Sequence, residues 1–146
     1  MSDYSPIALQ HVNFTVGKGT LHLAEEFYAE VLGFHNDPVP QSEKDILRWF
    51  RIGNGPQQIH VAFERQPGHP EISPLSSRHA CFILPSKEAL FNLQKRIWAH
   101  HKSGSLASAS MCDEPGEDNS GSKGDEYPTR FFARDYAGNR LEFSSP

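Results

Sequence analysis

The sequence predicts an α+β protein of two β-α-β-β-β units whose sheets form a half-open, cup-shaped mixed surface with the helices outside. Three observations carry that expectation. A strand-like phrase with a histidine among apolar residues occurs twice, as LQHVNFTV at 9–16 and RHACFIL at 78–84. Each copy is followed by a stretch of helical periodicity and then by short alternating segments. The two halves also align on each other, the opening strands at an offset of 68 and the closing segments, 48–63 and 130–145, at an offset of 82.

In the first strand Leu9, His11, Asn13 and Thr15 share one face and Val12, Phe14 and Val16 the other, the period of a half-buried strand. Thr20 is placed to cap a helix over 21–32, which carries Ala24, Phe27, Tyr28, Val31 and Leu32 at helical spacing and stops at Gly33. HNDPVP reads as a short strand broken by prolines, ILRWFRIG as a strand, NGP as a turn, and QQIHVAFE as the strand closing the first unit, about 7–66. The second unit, about 77–146, repeats the order. After RHACFILP, Ser86 caps a helix to about residue 100, and a short strand LASASMC follows. The polar, acidic stretch 113–126 reads as a surface loop inserted in the second copy, because the 14-residue difference between the two offsets equals its length. TRFFARD, the turn YAGN and RLEFSSP close the chain.

At 146 residues with 37% apolar content, the chain fits one domain over 1–146 with a modest core. A net charge of -4 with only scattered basic pairs argues against nucleic acid as partner. No apolar run approaches the roughly 18 residues of a membrane span, and the start MSDYSPIALQ lacks an apolar signal core, so no membrane partner is expected and the location is read as cytoplasmic. Cys81 and Cys112 form no framework and are expected to be buried free thiols. Phe27, Tyr28, Trp98 and Phe131 are expected in the core, and His22, His35, His69, His100 and His101 in solvent.

Four residues stand out by position: His11 and His79 in the first strands, His60 and Glu142 in the last. All four lie on faces opposite the bulk of the apolar residues, and two sheets forming a cup could bring them together. Imidazole and carboxylate are suitable ligands for divalent Zn, Fe, Mn, Ni or Co, and such a site can keep positions open for substrate. Asn13, Arg48 and Arg130 are expected to bind substrate, Asn13 because it shares the face of His11 and the arginines because a guanidinium holds anionic or carbonyl groups.

At these segments the chain resembles the vicinal oxygen chelate superfamily, the glyoxalase, bleomycin-resistance and extradiol-dioxygenase group. The resemblance runs from LQHVNFTV and AEEFYAEVLGF through FRIGNGPQQIHVAFE and RHACFILP to RFFARDYAGNRLEF. It implies metal ligands at His11, His60, His79 and Glu142, one divalent ion per site (Zn, Ni, Mn or Fe), His60 and Glu142 as catalytic groups, and a homodimer, with the site completed either within one subunit or across two. It implies an enzyme acting on a small oxygen-bearing substrate, a lyase or isomerase ahead of a dioxygenase. Glyoxalase I has a glutamate that also serves as base where this chain has His60, which puts the glyoxalase reaction itself in doubt. The alternative is a metal-free protein that sequesters a drug, as in the bleomycin-resistance branch, although the full ligand set argues against it.

Overall fold

Strand β1 (His11–Val16) runs parallel to β4 (Gln58–Phe63), and β3 (Leu47–Arg51) and β2 (His35–Asp37) complete a four-stranded mixed sheet in the order β1-β4-β3-β2. The second sheet repeats the plan as β5-β8-β7-β6, from β5 (His79–Ile83), β6 (Met111–Cys112), β7 (Arg130–Arg134) and β8 (Arg140–Ser144). This computed structural model describes residues 3–65, 76–117 and 129–146; His69 and residues 118–126 of the polar stretch lie outside them. The expected α+β architecture is present, as two sheets whose edge strands β1 and β5 are not paired with each other.

Apolar alternation decides which face of each sheet is covered. Phe14, Val16, Phe50, Ile59 and Val61 of the first sheet join Phe82, Phe131, Leu141 and Phe143 of the second in one buried cluster with Phe27, Tyr28 and Ile97 from the helices. The helices therefore sit on the faces opposite the four selected residues. The second helix, α1 (Lys87–Lys102), is capped as its sequence predicts, Ser86 Oγ accepting from the Ala89 N–H at 3.0 Å. The first helical segment differs. It is a 3-10 turn, Leu21–Leu23, running into a π-helical stretch, Glu25–Val31, ended by Gly33 at φ +80. Thr20 does not cap it; its hydroxyl donates to the Gly17 carbonyl at 2.6 Å instead.

Cross-strand pairing fixes which residues are equivalent in the two units, starting from Gln58 beside His11 and Arg140 beside His79. Equivalent residues are offset by 68 in the first strand (79 − 11), 76 in the second (111 − 35), 83 in the third (134 − 51) and 82 in the fourth (142 − 60). The expected single insertion at 113–126 is thereby corrected. The second unit gains 8 residues between its first two strands, where α1 replaces the shorter helical segment, and 7 more before its third. It then loses one in the last hairpin. Side chains alternate along a strand, so aligning β3 on β7 at the last-strand offset of 82, which sets Arg48 against Arg130, assigns Arg48 to the wrong face; at 83 it matches the buried Phe131.

The units are tied by polar contacts as well as by the core. Arg96 Nε of α1 donates to the Val31 carbonyl at 3.0 Å, and Tyr136 hydroxyl to the Thr20 carbonyl at 3.0 Å. His100 Nδ1 accepts from the Ala109 N–H, leaving Nε2–H to donate to Glu26 Oε2 at 2.7 Å, where the Ser105 hydroxyl also donates. Hydrogen bonds from His100 and Ser105 hold the Glu26 carboxyl below its usual range. A depressed carboxylate contributes stability above its unfolded pKa and loses it as pH falls through the folded value. Glu26→Gln is accordingly expected to flatten the fall of melting temperature on the acid side of 4.5, read from thermal melts across that range; an unchanged slope would remove this contribution.

Candidate metal and substrate site

The outer face of the first sheet carries a ladder of stacked rings. His60 lies between His11, with ring centroids 3.9 Å apart at 13°, and Trp49, at 4.9 Å and 17°. The ladder exists because Trp49 pairs with His60 across β3 and β4, while His11 lies one strand over. His60 Nε2 meets Gln58 Oε1 at 2.9 Å, and the Gln58 amide donates to Asp37 Oδ2 at 2.8 Å. An amide oxygen only accepts, so this relay places the His60 hydrogen on Nε2 and leaves Nδ1 with its lone pair. Burial, then the adjacent His11, lower the His60 pKa below the ordinary imidazole value, which favours the neutral ring. His11 Nδ1 meets Gln10 Oε1 at 2.7 Å, leaving Nε2 as its free nitrogen.

The outer face of the second sheet pairs His79 with Glu142, Nε2 to Oε2 at 3.1 Å, and Arg130 Nη1 donates to Glu142 Oε1 at 3.1 Å. His79 Nδ1 lies 2.8 Å from the Ser77 carbonyl. A carbonyl only accepts, so Nδ1 carries the hydrogen and Nε2 is turned to the carboxylate. A bare lone pair facing a carboxylate oxygen at that distance is repulsive; a proton, or a cation bonded to both groups, removes the conflict. The donor set fits a divalent ion in this respect, with a backbone carbonyl fixing the ring as outer partners of liganding histidines do.

Within one chain the four residues form two pairs rather than one centre: among the described residues no three His, Cys, Asp or Glu side chains are grouped to hold a metal. His11 and His79 do border a common cleft of about 400 Å³ between the edges β1 and β5, with Gln58 and Cys81 in its walls. Asn13 lies beside His60 in register, on the exposed face. Arg48 does not join them. It lies opposite Val61 on the apolar side, where its Nε donates to Glu25 Oε1 at 2.7 Å, and the one-residue difference between the hairpins removes its match to Arg130. Arg48→Ala is expected to lower folding stability by about 1 kcal/mol, checked by urea denaturation.

Two further expectations are corrected. Cys81 is exposed on the outer face, 3.5 Å from Ser144 Oγ, because its position alternates with the buried Phe82; Cys112 is buried, its thiol pushed up to about 12 by burial and Asp113. His22 and His35 are exposed, but His100 and His101 are half-buried, His101 Nδ1 donating to the Ala109 carbonyl at 2.7 Å. Sequence reasoning also passed over Gln58, Trp49, Arg134 and Arg140. The signal was available for two of them: Gln58 and Arg140 each stand two residues before a selected residue, hence on the same strand face.

No protein-family model matches the sequence, and no curated protein matches it. Solved structures do. A proposed glyoxalase family protein from Bacillus anthracis superposes with a TM-score of 0.63 at 22% identity, covering 99% of this chain and 98% of its own. A lactoylglutathione lyase from Agrobacterium tumefaciens gives 0.60 at 18%, covering 96% and 94%. The fosfomycin resistance protein FosX from Listeria monocytogenes gives 0.63 at 13%, covering 97% and 93%.

Proposed function

We propose that this chain, which has the fold shared by those glyoxalase-type structures, is a divalent-metal-dependent enzyme acting on a small oxygen-bearing substrate, a lyase or isomerase. The observation that carries the reading is the His79–Glu142 pair, with the His79 ring fixed by the Ser77 carbonyl and Nε2 and Oε2 turned to each other. His79, Glu142 and His11 would hold the ion, with His60 as a fourth ligand or as a base through its free Nδ1. The ion would supply Lewis-acid polarisation of substrate oxygens. Around it, Arg130 balances the Glu142 charge, and the Asp37–Gln58 relay keeps His60 oriented to accept a proton. Neutral imidazole is a proton acceptor near pH 7, which suits that role.

A homodimer is part of the proposal. Among the described residues, strands β1 and β5 leave their outer edges unpaired, with Leu9 and Ile83 exposed beside the cleft, features a second copy would cover. A partner facing its second unit to this chain's first would unite the two pairs of ligands. The stacked rings of His11 and His60 favour a second reading, since they form a platform for a planar ligand without metal. Elemental analysis after loading with Fe(II), Mn, Ni or Zn separates the two. Metal stoichiometric with the chain, lost in His79→Ala, is the expected result; no retained metal under any loading would leave the platform reading.

A further inference from the structure

Two guanidinium groups on the outer face of the second sheet meet no acid among the described residues. Arg140 and Arg134 stand directly opposite each other on β8 and β7, and His79 lies beside Arg140 on β5, so the three form one row across the sheet. Like charges in a cross-strand pair repel and lower stability. Among the described residues neither arginine forms an ion pair. Arg134 is anchored, Nη1 donating to the Gly138 carbonyl at 2.9 Å and Nη2 to the Ser76 carbonyl at 3.0 Å. Arg140 is stacked on Phe132 at 3.9 Å from the ring centroid, with no hydrogen-bond acceptor among the described residues. Stacking immobilises the guanidinium plane and leaves its N–H edge free.

The first unit supplies an internal control. Its equivalent positions hold Arg51 and Gln58, and there Asp37 serves both, accepting from Gln58 Nε2 at 2.8 Å with Oδ1 3.5 Å from Arg51 Nε. The second unit has an aspartate at the matching place, Asp113, but its Oδ2 is turned to the Phe132 N–H at 2.8 Å. The carboxylate that neutralises this row in one unit is thus withdrawn in the other.

We propose that Arg134 and Arg140 form a subsite for an oxyanion of the substrate, a carboxylate or a phosphate-type group, next to the His79–Glu142 pair. Neighbouring strands are about 4.8 Å apart and alternate residues about 6.6 Å, so an anion on Arg140 lies within a few bonds of an oxygen presented to that pair. The substrate class is then a small acid with an oxygen function near its anionic group. This identity of the substrate rests on the metal reading of the pair; the anion subsite does not.

The test uses the full chain stripped of metal with EDTA and inorganic phosphate as probe, at ionic strength held constant with chloride. Phosphate should raise the melting temperature of the parent protein in a saturable way, and titration calorimetry should show binding weakened at least tenfold in Arg140→Met. Arg140→Lys keeps the charge without the fork and should fall between them, while Arg65→Met should bind as the parent does. No saturable effect in the parent, or equal binding in Arg140→Met, overturns the subsite. Metal content on the same preparations keeps the two readings apart: phosphate binding that depends on Arg140 in a protein that takes up no metal retains the subsite and removes the metal enzyme.

Discussion

Replacing Asp135 by alanine is expected to cost about 3–5 kcal/mol of folding stability, because it leaves several buried hydrogen-bond donors without their acceptor at once. Asp135 is fully buried, and both its oxygens are used. Oδ2 accepts from the Tyr28 hydroxyl at 2.6 Å and from Asn139 Nδ2 at 2.8 Å; Oδ1 accepts from the backbone N–H groups of Ala137 and Asn139, each at 2.9 Å. Burial, the largest influence, pushes its pKa up, and these donors pull it down. Alanine would strand all four donors at once, including a phenol from the other unit. Asn139 Nδ2 also reaches the Thr15 carbonyl of β1, so the network is a joint between units as well as the support of the β7–β8 turn. Tyr28→Phe removes one donor and should cost only about 1–2 kcal/mol. Urea denaturation measures both; a loss for Asp135→Ala no larger than that for Tyr28→Phe would show that the other three donors find new partners.

On the proposed metal reading, Glu142→Gln is expected to weaken metal affinity by at least about 100-fold, beyond the loss of 10–100-fold usual for groups that only orient a ligand. Glutamine keeps the shape of the side chain but removes the charge that meets His79 on one oxygen and Arg130 on the other. The fold should tolerate the change, since Leu141 and Phe143 on either side remain buried in the core. Competition with a chromophoric chelator gives the affinity, and a melting curve checks the fold. Unchanged affinity would mean that Glu142 is a partner of Arg130 and His79 and not a ligand.

Much of the strand architecture was legible because alternation is local. Val12, Phe14 and Val16 had to face a core, so His11 and Asn13 had to face away, and the same holds for Ala80 and Phe82 against His79. The joints between elements were not legible in this way. Counting offsets gave the total length difference between units but not where it lies, since a longer helix, a longer connection and a shorter hairpin leave the same sum. Arg48 was therefore placed on the wrong face while His60 and Glu142 were placed on the right one. The π-helical turn at Glu25–Val31 has no periodic signature over so few residues, and the withdrawal of Asp113 from its arginine row depends on a backbone N–H that no sequence pattern announces.

The unequal hairpins show where a repeat of this kind absorbs length. The turn at 52–57 is one residue longer than the turn at 135–139, yet Trp49 and Phe132 stand opposite His60 and Glu142, and Arg51 and Arg134 opposite Gln58 and Arg140. The extra residue is taken up inside the turn and leaves both strands the same way up, so Phe50 and Phe131 both keep their places in the core. A turn that absorbs a length change without moving the register frees the two copies to diverge by substitution on a shared face, and the ring ladder on one sheet and the paired arginines on the other are asymmetries of that kind.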